Sequence, residues 1–256
     1  MKKLIIPLAV ALGCACVFAQ KKIELKIDLQ DASPKFLLSK DGKVSGMCIE
    51  IMNLLESKEG FKFVYAPSFT PTKTLESNME SGQADIHFGW AKTPAREKLA
   101  TFGEELYKVS YVGAVLANDK VNFKTINDLI NLEEQGEVLS VFGVASTTNL
   151  MKISGLKVND QGKDAEENLK KLMSGRGRVF IYHHLGIGYE LQQPAFKGKF
   201  KVVKIDWESN ASFKDAAQYV VFSKKVPVDT VQKVNAAVLK NKKDIDAIVQ
   251  KYSTPM

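Results

Sequence analysis

The sequence predicts an α/β protein built as two similar lobes. Three observations point there: a β-α-β-α-β run of hydrophobic patterns over residues 23–88, a long extended stretch from Leu106 to Leu116 fit to pass between two bodies, and a short signature that occurs twice. That signature is a helix ending on Ser-Gly with a buried strand a few residues later. It reads Met79-Glu80-Ser81-Gly82 before residues 85–88, and Met173-Ser174-Gly175 before Val179-Phe180-Ile181-Tyr182.

Taken in order, Ile23 to Leu29 alternates apolar and polar residues and reads as a strand. Pro34 to Ser45 is a loop region with a turn at Asp41-Gly42. After Gly46, the apolar residues Met47, Ile49, Ile51, Met52, Leu54 and Leu55 predict an amphipathic helix ending near Gly60. Cys48 falls in that helix and reads as a small buried residue. Phe61 to Tyr65 alternates again; a helix over Thr74 to Glu80 and a strand over Asp85 to Phe88 follow, and parallel pairing is the default for this order. Beyond the 106–116 stretch, which Gly113 breaks, come a short helix at Ile126 to Leu129 and a strand at Val138 to Val144. The polar turn Ala145-Ser146-Thr147-Thr148 is expected to cap the helix after it. Asp164 to Ser174 is an amphipathic helix, Val179 to Tyr182 and Tyr219 to Phe222 are buried strands, and Val228 to Lys240 and Asp244 to Tyr252 are closing helices.

The start of the chain fixes the compartment. Lys2 and Lys3, the apolar run Leu4 to Val17 and the small-residue end at Ala19 form a secretory signal peptide over residues 1–19. Leu12-Gly13-Cys14 offers a second reading, a lipoprotein cleavage site that would tether the protein through Cys14. No later apolar run approaches the ~20 residues of a spanning helix. Removing Lys2 and Lys3 lowers the formal charge from +7 to about +5, spread without a basic arm, which argues against nucleic acid. Only Cys48 of the three cysteines stays in the mature chain, so stability must come from the core, for which 45% hydrophobic residues suffice.

The chemistry concentrates in Gly89-Trp90-Ala91-Lys92-Thr93-Pro94-Ala95-Arg96. Thr93 is placed to cap a new helix with Pro94 at its first position. Free N–H groups at that end plus the Arg96 guanidinium would form a carboxylate receptor; the other reading is a capped surface helix with a solvated Arg. Trp90 either stacks on a ligand or packs beneath it.

Six motifs in order carry a family resemblance. Gly46-Met47-Cys48-Ile49-Glu50-Ile51 resembles G-[FY]-[DE]-[VI]-[DE]-[LIV], Ser81-Gly82-Gln83-Ala84-Asp85 is similar to S-G-x-x-D, and Thr93-Pro94-Ala95-Arg96 matches T-P-x-R. Thr101-Phe102 with Leu106-Tyr107 resembles F-[ST]-x-P-Y, Ser174-Gly175-Arg176 resembles S-G-R-x-D, and Val234-Asn235-Ala236-Ala237-Val238 fits V-N-x-A-[LI]. Together they resemble the family 3 extracellular solute-binding proteins, the amino-acid-type periplasmic receptors of ABC transporters. The resemblance implies a type II periplasmic-binding-protein fold: two lobes, each a mixed, mainly parallel sheet flanked by helices, with a ligand cleft between them. It divides the chain into residues 20–112 (first lobe), 113–219 (second lobe) and 220–256 (return to the first). It implies a monomeric, periplasmic receptor without metal or cofactor, which closes on a small carboxylate-bearing solute and delivers it to an ABC permease. An orphan sensor of the same fold, or a dehydratase-like enzyme using His183 or Glu50, are the alternatives.

The resemblance makes Arg96 the residue that grips the carboxylate, with Gly89, Trp90, Ala91 and Thr93 beside it and Ser146, Thr147 and His183 facing from the second lobe. The departures are as informative. Ala91 replaces a hydroxyl residue, and the interval from Asp85 to Arg96 is one residue short. Arg178 replaces an acid, as does Cys48. The acid that would pair with an α-ammonium falls at His183, with His184 beside it. Phe36 and Phe69 lie near the places of the sandwiching aromatics. A charged His183 predicts that anion affinity weakens as pH rises through the histidine range. His183 and His184 are adjacent on a strand and make poor joint metal ligands, even with His87 opposite. Gly175-Arg176-Gly177-Arg178 reads as a helix-to-strand turn in preference to a phosphate loop.

Overall fold

In the computed structural model the described residues are 22–120, 123–207, 212–214 and 216–253; the expected signal peptide and Cys14 lie outside them. Strand β1 (Ile23–Lys26) pairs in parallel with β4 (Phe61–Val64), and between them come the hairpin β2 (Leu37–Leu38) and β3 (Val44–Ser45) and helix α1 (Met47–Glu59). Apolar residues at helical spacing bury one face of α1, through Met47, Ile51, Met52 and Leu55. Helix α2 (Thr72–Ser81), strand β5 (Ile86–Ala91), helix α3 (Pro94–Leu99) and strand β6 (Ala100–Val109) complete this half of the first lobe. Asp85 ties its strands together. Its N–H donates to Lys26 O at 2.8 Å, its carboxylate accepts from Lys26 N at 2.8 Å, and its carbonyl accepts from Ser223 N at 2.9 Å.

The second lobe begins at β7 (Tyr111–Leu116) and continues through α4 (Ile126–Ile130), β8 (Val138–Val141), α5 (Ala145–Leu150), β9 (Val158–Gly162), α6 (Ala165–Met173), β10 (Val179–His183), α7 (His184–Leu191) and β11 (Phe200–Lys204). Its sheet has the order β11-β7-β10-β8-β9. Successive β10 side chains face opposite ways: Phe180 and Tyr182 pack with Leu139, Leu169 and Ile187, and Val179 and Ile181 join the core on the other face. The chain returns through β12 (Ala216–Ser223), α8 (Val228–Lys240) and α9 (Lys242–Tyr252). Strand β12 lies between β5 and β6 and is antiparallel to both, so from Ala216 onward the chain is back in the first lobe, in a three-stranded sheet of order β5-β12-β6 beside the β1–β4 pair.

Several expectations are modified. The sheets are mixed, but among the described strands the parallel ladders are β1–β4, β8–β10 and β8–β9, less than a mainly parallel design. The 106–116 stretch breaks at Ser110, where the strand changes partners from β12 to β10, and not at Gly113. There Ser110 N donates to His184 Nδ1 at 3.1 Å and Ser110 O accepts from His184 N at 2.9 Å. Residues 145–148 start α5 from inside, with Val144 as N-cap. The repeated Ser-Gly signature is structural in both lobes, closing α2 at Gly82 and α6 at Gly175 with positive φ. Strands β9 and β11 and helix α7 were not anticipated. Among the described residues no helix is long and apolar enough to cross a membrane.

Candidate functional site

The C-terminal ends of β5 and β10 and the β6–β7 junction converge on one cavity of ≈ 50 Å³. Gly89, Trp90, Ala91 and Arg96 line it from the first lobe, and Ser146 and His183 from the second. Two expected residues stand back from it. Thr93 caps α3, its Oγ1 accepting from Arg96 N at 3.2 Å, and Thr147 turns inward, donating to Val141 O at 2.6 Å and bonding Ser140. The cap fulfils the sequence reading of Thr93-Pro94, and it also means that this N–H is used within the protein.

Arg96 is not a solvated surface residue: it is 6% exposed. Its Nε donates to Glu76 at 3.1 Å and one terminal nitrogen donates to Ala91 O at 3.3 Å, while its guanidinium lies 4.6 Å from the Trp90 ring centroid. The fork is therefore held on one edge, and Nη2 keeps its donors for the cavity. Trp90 packs beneath Arg96, and His87 lies buried between Trp90 and Phe36. Burial pushes the His87 imidazole well down from its usual range, with Lys35 and Arg96 adding to the effect.

Strain marks Gly89. Its φ is +85°, and a Cβ there would stand 2.4 Å from the Tyr107 hydroxyl and 3.1 Å from Lys35 Cδ. Only glycine lets these two side chains close over the strand. Three of the residues that line this space each carry a buried polar atom without a hydrogen bond: Trp90 Nε1, Tyr107 Oη and Ser146 Oγ. Tyr107 lies beside Cys48 and Ser146 beside Tyr111, in each case without hydrogen-bond geometry. Buried donors left this way are costly unless a ligand or water meets them.

His183 is corrected in one respect. It is the N-cap of α7, and its Nδ1 accepts from Gly186 N at 2.9 Å. An accepting Nδ1 leaves the proton on Nε2, and burial pushes its pKa well down, helped by Lys35 and His184. The imidazole is neutral, so it is neither a cationic contact nor a replacement for the missing acid. His184 binds Ser110 at the lobe junction and does not line the cavity. Arg178 pairs with Asp119 at 2.8 Å, in keeping with the turn reading of residues 175–178. Cys48 is buried and its thiol is pushed up to about 12 by desolvation.

Lys35 was missed from the sequence. It is 8% exposed, and its Nζ donates to Gln30 Oε1 at 2.9 Å and Gly89 O at 3.0 Å. The signal for it was a lysine set between Pro34 and the apolar run Phe36-Leu37-Leu38, just ahead of the Gly46 helix start. Tyr111, Tyr182 and Gln218, which also line the wall, gave no such signal, and Tyr107 stood out only as the end of the motif that begins at Thr101.

A larger cavity of ≈ 580 Å³ adjoins the first and shares Tyr182 with it. Asp31, Asp164, Glu166 and Glu190 line it, with Lys163, Phe36 and Phe69. Burial raises the pKa of Glu190 and of Asp31, and the neighbouring acids raise both further.

The model of the bacterial extracellular solute-binding proteins, family 3, matches residues 25–255. Solved structures share the fold at low identity. An ancestral arginine-binding protein bound to arginine is 20% identical with a TM-score of 0.74, covering 91% of this chain and 99% of its own. An amino acid ABC transporter substrate-binding protein from Streptococcus pneumoniae, bound to L-arginine, is 18% identical with a TM-score of 0.73, covering 92% and 97%. An ancestral amino-acid-binding protein described as a precursor of cyclohexadienyl dehydratase is 18% identical with a TM-score of 0.73, covering 91% and 96%. No curated protein sequence matches the chain.

Proposed function

The chain belongs to the bacterial extracellular solute-binding proteins of family 3, and from that premise we propose that it captures a small carboxylate-bearing solute by hinge closure and delivers it to an ABC permease. One observation carries the reading: Arg96 and the unpaired donors of Trp90, Tyr107 and Ser146 meet in one cavity at the lobe junction. Arg96 grips the carboxylate through the edge that Glu76 leaves free. Gly89, Trp90 and Ala91 form the floor, and Ser146 and His183 close from the second lobe, His183 as a neutral donor through Nε2. The hinge runs through Ser110, where the chain passes from the β5–β12–β6 sheet to the sheet of β7 and β10, a junction suited to rigid-body closure. The protein works as an exported, periplasmic monomer.

We assign it no reaction. His183 uses Nδ1 to cap α7, and Glu50 accepts from Lys251 at 2.7 Å and Tyr252 at 2.6 Å, outside the cavity. A thermal-shift screen of the purified protein against amino acids, 2-oxo acids, dicarboxylates and small peptides tests the proposal, because a ligand of the folded state raises the midpoint by mass action. A hit that Arg96→Ala abolishes supports it, and cells lacking the protein should then lose uptake of that solute. A hit untouched by Arg96→Ala would place the site elsewhere.

A further inference from the structure

Within that solute-binding reading, we propose that Lys35 is a second ligand anchor beside Arg96, and that the ligand is a small carboxylate of net charge −1 carrying no ammonium group.

The geometry of Lys35 is built, not incidental. Its backbone is clamped to the start of α1: Pro34 O accepts from Met47 N at 2.8 Å and Lys35 O accepts from Cys48 N at 2.9 Å. Gly46 has φ +117°, and a Cβ there would lie 2.6 Å from Lys35 O, so the close approach requires glycine. The side chain then runs over Gly89 into the cavity. Its ammonium meets two neutral acceptors, Gln30 and Gly89, and among the described residues no carboxylate lies within ion-pair distance of it. An ammonium has three donors, so one remains for a ligand.

A charge count of the cavity follows. Arg96 is balanced by Glu76, His87 and His183 are neutral, and Lys35 is left uncompensated. Burying an unpaired charge is costly, and an anionic ligand removes the cost. The lowered pKa of Lys35, about 8, is what an ammonium in this position shows without its counter-ion. The other free groups are Trp90 Nε1, a donor only, and the hydroxyls of Tyr107 and Ser146. These suit a carboxylate and a neighbouring oxo or hydroxyl oxygen. An ammonium on the adjacent carbon would face two cations and no acid. A second carboxylate, reaching past Tyr182, would meet Asp31 and Glu190. At ≈ 50 Å³ the cavity accepts only a few non-hydrogen atoms in this state.

Titration calorimetry at neutral pH tests this with pyruvate, 2-oxobutyrate and L-lactate against L-alanine and L-2-aminobutyrate. The oxo and hydroxy acids are expected to bind at least about tenfold tighter than the matching amino acids, and Lys35→Met to weaken them by about thirtyfold or more. Lys35→Gln, which keeps a donor to Gly89 O, should show the same loss, with circular dichroism confirming that both variants fold. An amino acid bound as tightly as its oxo partner, anion affinity unchanged in the lysine variants, or no binding of any of the three anions overturns the inference. Amino-acid binding that persists in Lys35→Met and disappears in Arg96→Ala would retire this inference and leave solute capture standing. The capture reading itself fails where Arg96→Ala has no effect on whatever binds.

Discussion

Two cavities lie along one cleft and share Tyr182, yet they are opposite in character. The deep one is ≈ 50 Å³, carries Arg96 and Lys35, and is walled by donors that meet nothing in the protein. The outer one is ≈ 580 Å³ and carries four acids, of which Glu190 accepts from Ser33, Asp164 caps α6 and Glu166 pairs with Lys170. Size alone would select the outer cavity as the binding site. Unsatisfied buried polarity selects the inner one, because a wide acidic cavity can be solvated, whereas an enclosed donor without a partner cannot. The polarity also orients a ligand, with its anionic end inward and anything neutral or cationic outward.

The largest effect that would break this contrast is loss of Arg96. Arg96→Ala removes the guanidinium that meets the carboxylate and leaves Glu76 beside the site, so ligand binding should weaken by on the order of 3 kcal/mol or more by calorimetry. Glu76→Gln is the sharper partner experiment: it keeps a hydrogen-bond acceptor for Arg96 and removes a negative charge, so anion affinity should hold or rise. Next comes Gly89→Ala. At φ +85° a Cβ is strained and meets both Tyr107 and Lys35, so about 1–3 kcal/mol of stability should be lost in urea titration. Anion affinity should fall with it, because the substitution pushes Lys35 away from its position. A Gly89→Ala protein with normal affinity would show that Lys35 need not lie over the strand.

The extent to which the sequence disclosed this arrangement differs element by element. Thr93, Pro94 and Arg96 are local signals, a cap and a first-turn residue, and they occupy those places in the structure. Gly60 and the Ser-Gly helix ends are equally local and equally legible. Lys35 was hidden because its burial depends on α1, β5 and β6 closing around it, at residues 13 to 72 positions away along the chain. His183 was read as charged, and the structure makes it neutral: burial, helped by Lys35 and His184, lowers its pKa, and its Nδ1 caps α7, a helix whose Leu-Gly-Ile-Gly start gave no helical signal. Strand β12 was recognised as buried, but its partners could not be read, since antiparallel insertion between β5 and β6 leaves no mark in local periodicity.

Acid–base titration sharpens the contrast at the inner cavity. Lys35 faces Arg96, the neutral His87 and His183 and the protonated Cys48, and in the free protein it releases its proton near pH 8 instead of 10.5. Between those two values the unfolded chain holds more protons at this site than the folded one, so this group makes stability rise with pH there; below about 8 both states are protonated and it adds no slope. Binding runs the other way. Anion affinity should be flat from about pH 5.5 to 7, because the buried histidines stay neutral, and should decline above about 8 as Lys35 loses its charge. Calorimetry across that range distinguishes the two residues. A decline centred near 6.5 would return His183 to a charged role.

The smallest expected effect lies in the outer cavity, at Glu190. Its carboxyl is raised above the usual value first by burial and then by Glu166, Asp164 and Asp31, with the Ser33 hydrogen bond opposing. For an acid with a raised folded pKa, the folded state holds the extra proton, so stability falls as pH rises from 4.5 through the raised value. Glu190→Gln keeps an acceptor for Ser33 and removes the charge. It should flatten that slope, change stability at pH 7 by no more than about 1 kcal/mol, and raise affinity for a small anion about twofold by lessening repulsion through the cleft. Urea midpoints between about pH 4.5 and 7, with calorimetry at pH 7, read both effects. If instead Glu190→Gln weakened ligand binding, the acid would be a ligand contact, and the ligand would have to carry a cation reaching past Tyr182 into the outer cavity.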